Sequence, residues 1–159
     1  MYTYRKTNVM RLLDGEKIGY QVLTYASDDG KNDGISVADK LNRPHESVFK
    51  TLVAQGDSGN YYVCVIPVED ELDLKKSARV CNEKKFDLIP VRDLQKITGY
   101  IRGGCSPIGM KRRFQTYLDA KCRNLQRIIV SGGKIGIQIE LEVRDLLNIA
   151  GAVSADLIK

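Results

Sequence analysis

Two short stretches of this chain carry residues whose types and spacing suit chemistry on a polar ligand. The first is Val48-Phe49-Lys50-Thr51-Leu52-Val53-Ala54, a strand pattern interrupted by one lysine. Side chains alternate between the faces of a strand, so Lys50 shares a face with Val48, Leu52 and Ala54, opposite Phe49, Thr51 and Val53. Both faces are largely apolar. The lysine is therefore either at a sheet edge, with its ammonium snorkelling to water, or aimed into a cavity. In a cavity its charge acts at low dielectric and can hold a phosphate or carbonyl oxygen, or serve as a base if its pKa falls. The second stretch is Gly99-Tyr-Ile-Arg-Gly-Gly-Cys-Ser-Pro-Ile-Gly109. Adjacent glycines at 103 and 104 let a ligand approach the backbone, and successive free amides can form an anion-binding concavity. Its spacing fits neither a phosphate-binding P-loop nor a dinucleotide fingerprint, and a tight structural turn explains it equally well. Cys105 invites a nucleophile hypothesis, but no histidine lies near it in sequence.

Other chemistries are narrowed by scarcity. His45 is the single histidine of the 159 residues, and the four cysteines, at 64, 81, 105 and 122, form no CxxC pair. Zinc sites and redox dithiols rely on such pairs, so no metal and no cofactor is expected, and the thiols read as free cysteines of a reducing compartment. No apolar run is long enough for a membrane helix, and Met1 to Lys6 lead into no signal-like apolar segment; the expected location is cytoplasmic.

The elements that must position the two stretches alternate along the chain with no linker. The pattern predicts a short helix over Ser36–Leu41, a strand over Val48–Ala54, a turn at Gly56–Gly59 and a second strand over Tyr61–Val68, the two strands forming a hairpin. Asp73 is placed to cap a helix reaching Cys81. A helix over Val91–Thr98 ends at Gly99, strands follow at Phe114–Leu118 and Ile128–Ser131, and Gly132-Gly133-Lys134 turns the chain into Ile137–Leu141. A last helix over Val143–Ala150 stops at Gly151. Hairpin turns outnumber long crossovers in this reading. The expected fold class is α+β, a single compact domain with a mixed, mostly antiparallel, curled and barrel-like sheet and flanking helices.

Charge is distributed unevenly. The net charge is +5, yet from Lys75 to Lys134 fifteen Lys and Arg face four acids, a window of +11, while the remainder is −6. A positive face of this kind suits a polyanion such as nucleic acid, although scattered surface bases account for the count as well.

Taken together, Val48–Leu52, Gly99–Gly109 and Ser131-Gly132-Gly133-Lys134-Ile135-Gly136 stand in the order and approximate spacing of the YbaK/EbsC family. These are trans-editing deacylases related to the insertion domain of bacterial prolyl-tRNA synthetase. The resemblance runs from about Val9 to Ala152 and implies that residues 1–159 form one editing domain, whose pocket receives the aminoacylated 3′ end of tRNA. It implies that Lys50 is the catalytic lysine, orienting the terminal adenosine and the ester, with Thr51 beside it. Gly103, Gly104, Cys105, Ser106 and Pro107 match the family's substrate loop, and Ser131 and Gly132 open its SGG turn. Tyr25 matches an N-terminal pocket tyrosine in a segment that departs from the family pattern, and Gln138 stands where some members carry an aspartate. The implied reaction is deacylation of mischarged Cys-tRNA(Pro), assisted by the substrate thiol. Ala or Ser specificity, or a non-catalytic tRNA-binding module, are the alternatives. The implied partners are tRNA and prolyl-tRNA synthetase.

Overall fold

The structure is a computed structural model that describes residues 4–159; the first three positions of the expected domain, and of the N-terminal segment read for a signal, lie outside the described residues. Among the described residues eight strands form two sheets. One holds β1 (Tyr20–Thr24), β7 (Ile137–Glu142) and β6 (Arg127–Lys134) in that order, all antiparallel. The other runs β4 (Phe86–Leu88), β2 (Phe49–Gly56), β3 (Tyr61–Pro67), β5 (Gln115–Asp119), β8 (Ala152–Ala155). Its β2–β3 hairpin and β2–β4 pair are antiparallel, whereas β3–β5 and β5–β8 are parallel.

The α+β class and the flanking helices hold, and antiparallel pairings predominate. The barrel-like closure does not hold. β4 and β8 remain the two edges of the larger sheet, and the two sheets meet through a single parallel bridge, Val48 to Ile129. The parallel pairs also require two long crossovers, one from β3 to β5 and one from β5 to β8. Hairpin periodicity along the sequence carries no sign of them, because which strand lies beside which is decided by packing of distant segments.

Local signals account well for the helices. Asp73 accepts the Lys76 amide at the start of α3 (Leu74–Val80), α4 spans Val91–Thr98 and ends at Gly99 with φ of 87°, and α5 spans Val143–Ala150 and ends at Gly151 with φ of 61°. Left-handed backbone at both stops is what glycine permits at little cost. α2 covers Gly34–Lys40, with Asp33 capping it through the Ser36 amide. An unforeseen helix, α1 (Asn8–Gly15), buries Val9, Met10 and Leu13, and β1, β4 and β8 were likewise not foreseen. The Gly132–Lys134 turn is also corrected. β6 continues through a bulge between Ser131 and Lys134, and the reversal falls at Ile135-Gly136.

The main core lies between the sheets and beneath α1 and α5, with Phe49, Val53, Val63, Leu118, Ile128, Ile139 and Leu146 among its buried members. A second cluster, including Ala54, Ile66, Phe86 and Leu157, fills the opposite face of the larger sheet. Strand β2 is thus packed on both sides, as its apolar faces require. Among the described residues no helix is long and apolar enough to cross a membrane.

Candidate functional site

Strand β4 pairs with β2 only at Ala54, Gln55 and Gly56, so the first half of β2 lacks a neighbour on that side. At its start β2 swings toward the smaller sheet through the Val48–Ile129 bridge. A cleft of about 730 Å³ opens in the gap, walled by β2, the entry to α2, the loop after α4 and the β6–β7 turn. Lys50 therefore satisfies both readings of its sequence context: it sits where the sheet edge is open, and that edge is a cavity wall.

The cleft brings together Lys50, Thr51, Gly103, Cys105 and Ser131 of the expected site residues. The Lys50 ammonium reaches the Val68 carbonyl at 3.4 Å, a weak contact, and makes no ion pair among the described residues, although its charge helps to lower the pKa of the Glu71 carboxylate. The Thr51 hydroxyl and the Asn32 side-chain oxygen are buried without a hydrogen-bond partner among the described residues. Buried polar atoms in this condition cost about 1–3 kcal/mol each and are uncommon in a finished core. The Ser131 hydroxyl oxygen accepts the Gly133 amide at 3.1 Å, which leaves its own proton free to donate.

In the Gly103–Pro107 loop the backbone has separate tasks. Gly103 adopts φ of 88°. Gly104 donates to the Ile101 carbonyl at 3.0 Å, and a Cβ there would come within 3.2 Å of the Ile135 nitrogen, so it seats the loop on the β6–β7 turn. The amides of Gly103 and Cys105 donate to no acceptor among the described residues. Cys105 is only 8% exposed, and burial pushes its thiol up to about 12, which makes it a poor nucleophile near neutrality. His45 is not part of the cleft; it pairs with Asp39 at 2.7 Å, and that bond raises its pKa.

The remaining expected residues stand outside the cleft wall. Ser106 is fully buried and its hydroxyl accepts the Ile108 amide at 3.3 Å. Pro107 borders a separate hollow of about 200 Å³ with Arg112 and Arg113. Gly132 is packed so closely that a Cβ would lie 2.7 Å from an Ile137 methyl. Tyr25 is buried, its hydroxyl unpartnered, with the Lys40 ammonium 5.7 Å from its ring centroid. Lys40 also binds the carbonyls of Ala26 and Lys31 and the Asp29 carboxylate, thereby holding the loop that leads from Tyr25 to α2.

Sequence reasoning missed the wall formed by that loop, including Asn32, Asp33 and Ile35, as well as Arg102 and Ile135. The Asn32-Asp33-Gly34 turn signal and the adjacency of Arg102 to the double glycine were the available hints. Gln138 also lines the cleft and is only 6% exposed.

The family model described as aminoacyl-tRNA editing domain matches residues 33–149. The chain is 42% identical over 155 residues, 98% of its length and 94% of the other, to the candidate Cys-tRNA(Pro)/Cys-tRNA(Cys) deacylase EbsC of Enterococcus faecalis. It is 27% identical over 96 residues to proline–tRNA ligase of Fervidobacterium nodosum, covering 60% of this chain and 16% of that one. Among solved structures, a candidate trans-editing enzyme for prolyl-tRNA synthetase superposes with a TM-score of 0.80 at 22% identity, covering 96% and 98% of the two chains. The protein APE2540 superposes at 0.86 and 20% identity, covering 95% and 99%. These two structures establish likeness of fold. With the family model spanning most of the sequence and a close relative along nearly all of it, the chain belongs to the aminoacyl-tRNA editing domain family.

Proposed function

We propose that this chain is a trans-editing deacylase that removes cysteine from mischarged tRNA(Pro), using the substrate's own thiol as the nucleophile. The observation that carries this reading is the composition of the cleft: a lysine held in no ion pair, free backbone amides and the unused proton of the Ser131 hydroxyl surround a space whose only thiol, Cys105, is held near a pKa of about 12. These groups bind and polarise an ester; none is an activated nucleophile.

An aminoacyl ester is already reactive, so the protein gains most by orientation and by stabilising oxyanion charge. The 3′ end of the tRNA enters with its ester against β2. Lys50 donates to a phosphate or ester oxygen, and the amides of Gly103 and Cys105 face the carbonyl. The cysteinyl thiol gives up its proton, sulfur bonds to the carbonyl carbon, and the carbon–oxygen bond to the ribose breaks. The ribose oxygen takes a proton and leaves as the free 3′ end. The four-membered thiolactone is then opened by water to cysteine. Alanyl and seryl esters are small enough to enter, and a hydrophobic wall discriminates by only about 1–3 kcal/mol per methylene, so rejection of these esters is chemical rather than steric. Choice among tRNAs comes from prolyl-tRNA synthetase acting as partner, a reading supported by the partial match to a proline–tRNA ligase.

Cleavage rates of Cys-tRNA(Pro) and its S-methyl derivative test the mechanism. The expected result is rapid loss of the first and survival of the second; equal rates would overturn the thiol-assisted route. Binding of tRNA without cleavage of either would favour a non-catalytic module.

A further inference from the structure

We infer that Gln138 is a positioning residue for the aminoacyl group, accepting a hydrogen bond from the substrate's α-ammonium and thereby selecting esters with a free amino group. The inference rests on the deacylase reading above.

Gln138 sits in the middle strand of the smaller sheet, opposite Leu23 on one side and Ser131 on the other. Its residue surface is 6% exposed, it lines the cleft, and its side-chain amide makes no hydrogen bond among the described residues. Neither amide atom is sealed off; the sealed, unpartnered side-chain atoms among the described residues belong to Tyr25, Asn32 and Thr51. An amide placed in an apolar strand without a partner costs free energy, so it does not serve the stability of this fold. It borders the cleft.

The chemistry of the other polar groups decides what this amide meets. Lys50 and Arg102 are cations and repel an ammonium. The Ser131 oxygen already accepts from Gly133, and the Asn32 and Thr51 oxygens are closed off. The Asp33 carboxylate is engaged by the amide and hydroxyl of Ser36, at 3.2 and 2.6 Å. The Gln138 carbonyl is thus the side-chain acceptor of the cleft that holds no hydrogen bond among the described residues, and Asp33, which accepts one bond at each oxygen and also lines the cleft, is its competitor. The α-ammonium is the one cationic group of a cysteinyl ester. Placed there, it lies on the smaller sheet, leaving the ester to Lys50 on β2 and to the glycine loop.

The test uses two esters on the same tRNA, cysteinyl and 3-mercaptopropionyl, which share thiol and carbonyl and differ only in the amino group. A hydrogen bond to a charged group corresponds to about 10- to 100-fold. The wild type is expected to cleave the mercaptopropionyl ester with kcat/KM lower by that factor. Gln138→Met should lose about the same factor on cysteinyl-tRNA and almost nothing on the mercaptopropionyl ester, with unchanged thermal stability. Gln138→Glu, which keeps an acceptor, should retain cysteinyl activity and acquire a decline at acid pH as the new carboxylate protonates. Equal losses on both esters in Gln138→Met, or a selective loss in Asp33→Asn instead, would overturn the assignment while leaving the deacylase reading intact. A wild type that cleaves neither ester would overturn both.

Discussion

Replacing Cys105 by alanine separates a protein nucleophile from a substrate nucleophile. Burial raises the Cys105 thiol from 9.0 to about 12. At any pH well below 9 this lowers its thiolate population about a thousand-fold relative to an unperturbed cysteine. At pH 7.5 the thiolate amounts to roughly one molecule in thirty thousand, and no histidine in the cleft is available to take the proton during attack. The thiol of the substrate cysteine carries no such handicap. Cys105→Ala should therefore keep kcat/KM for Cys-tRNA(Pro) within about three-fold of wild type, once folding is confirmed by thermal melting. Iodoacetamide should label Cys105 in the native protein about a thousand-fold more slowly than a free thiol, with activity surviving the treatment. A loss of a hundred-fold or more in a folded Cys105→Ala protein, or inactivation that tracks alkylation of Cys105, would refute the reasoning and return the cysteine to the mechanism.

Lys50→Met should lower deacylation by about 10- to 100-fold through loss of a charge-assisted contact, yet leave the melting temperature nearly unchanged, because the ammonium's one hydrogen bond among the described residues is the 3.4 Å approach to Val68. A large fall in stability would show that the lysine is structural. Gly103→Ala forces a side chain into left-handed backbone and to 3.3 Å from Ile135; urea unfolding should show a cost of about 1–2 kcal/mol, with the loop displaced and activity reduced. Asp14, Asp29, Asp33 and Asp73 all have pKa values lowered below 3.8, by hydrogen bonds from Lys6, Lys40, Ser36 and the Lys76 amide respectively. A lowered folded-state pKa stabilises the protein above the unfolded value, and that contribution is lost as pH falls through the lowered one. Melting temperatures should thus be flat from pH 6 to about 4.5 and fall steeply below 3.8; no fall would mean that these bonds do not persist in solution.

Much of the architecture is local in origin and was legible in the chain. Asp73, Gly99 and Gly151 mark helix ends because capping hydrogen bonds and left-handed backbone are decided by one residue and its immediate neighbours. The β2–β3 hairpin follows from two apolar runs around Gly56–Gly59, and two residues that line the cleft stand out in the sequence, Lys50 as a lysine in an apolar strand and Gly103 as one of two adjacent glycines, whereas Ser131 was marked by the family resemblance. Residues that lie behind the cleft wall looked the same from sequence: Gly104 and Gly132 are glycines like Gly103, and differ from it in backbone conformation and in what packs against them.

The tertiary structure alone decided the rest. Short, weakly periodic elements such as β1, β4 and β8 exist because a distant strand offers them a hydrogen-bonding edge, and no property of their own residues announces it. The parallel order β3–β5–β8 and the open gap between the sheets arise in the same way, from contacts between segments far apart in the chain. That gap turns an edge lysine into a cleft lysine and sets Gln138 facing it from another sheet. A residue's type is written in the sequence, but whether its polar atoms meet a partner, water or a ligand depends on which remote surfaces close around it.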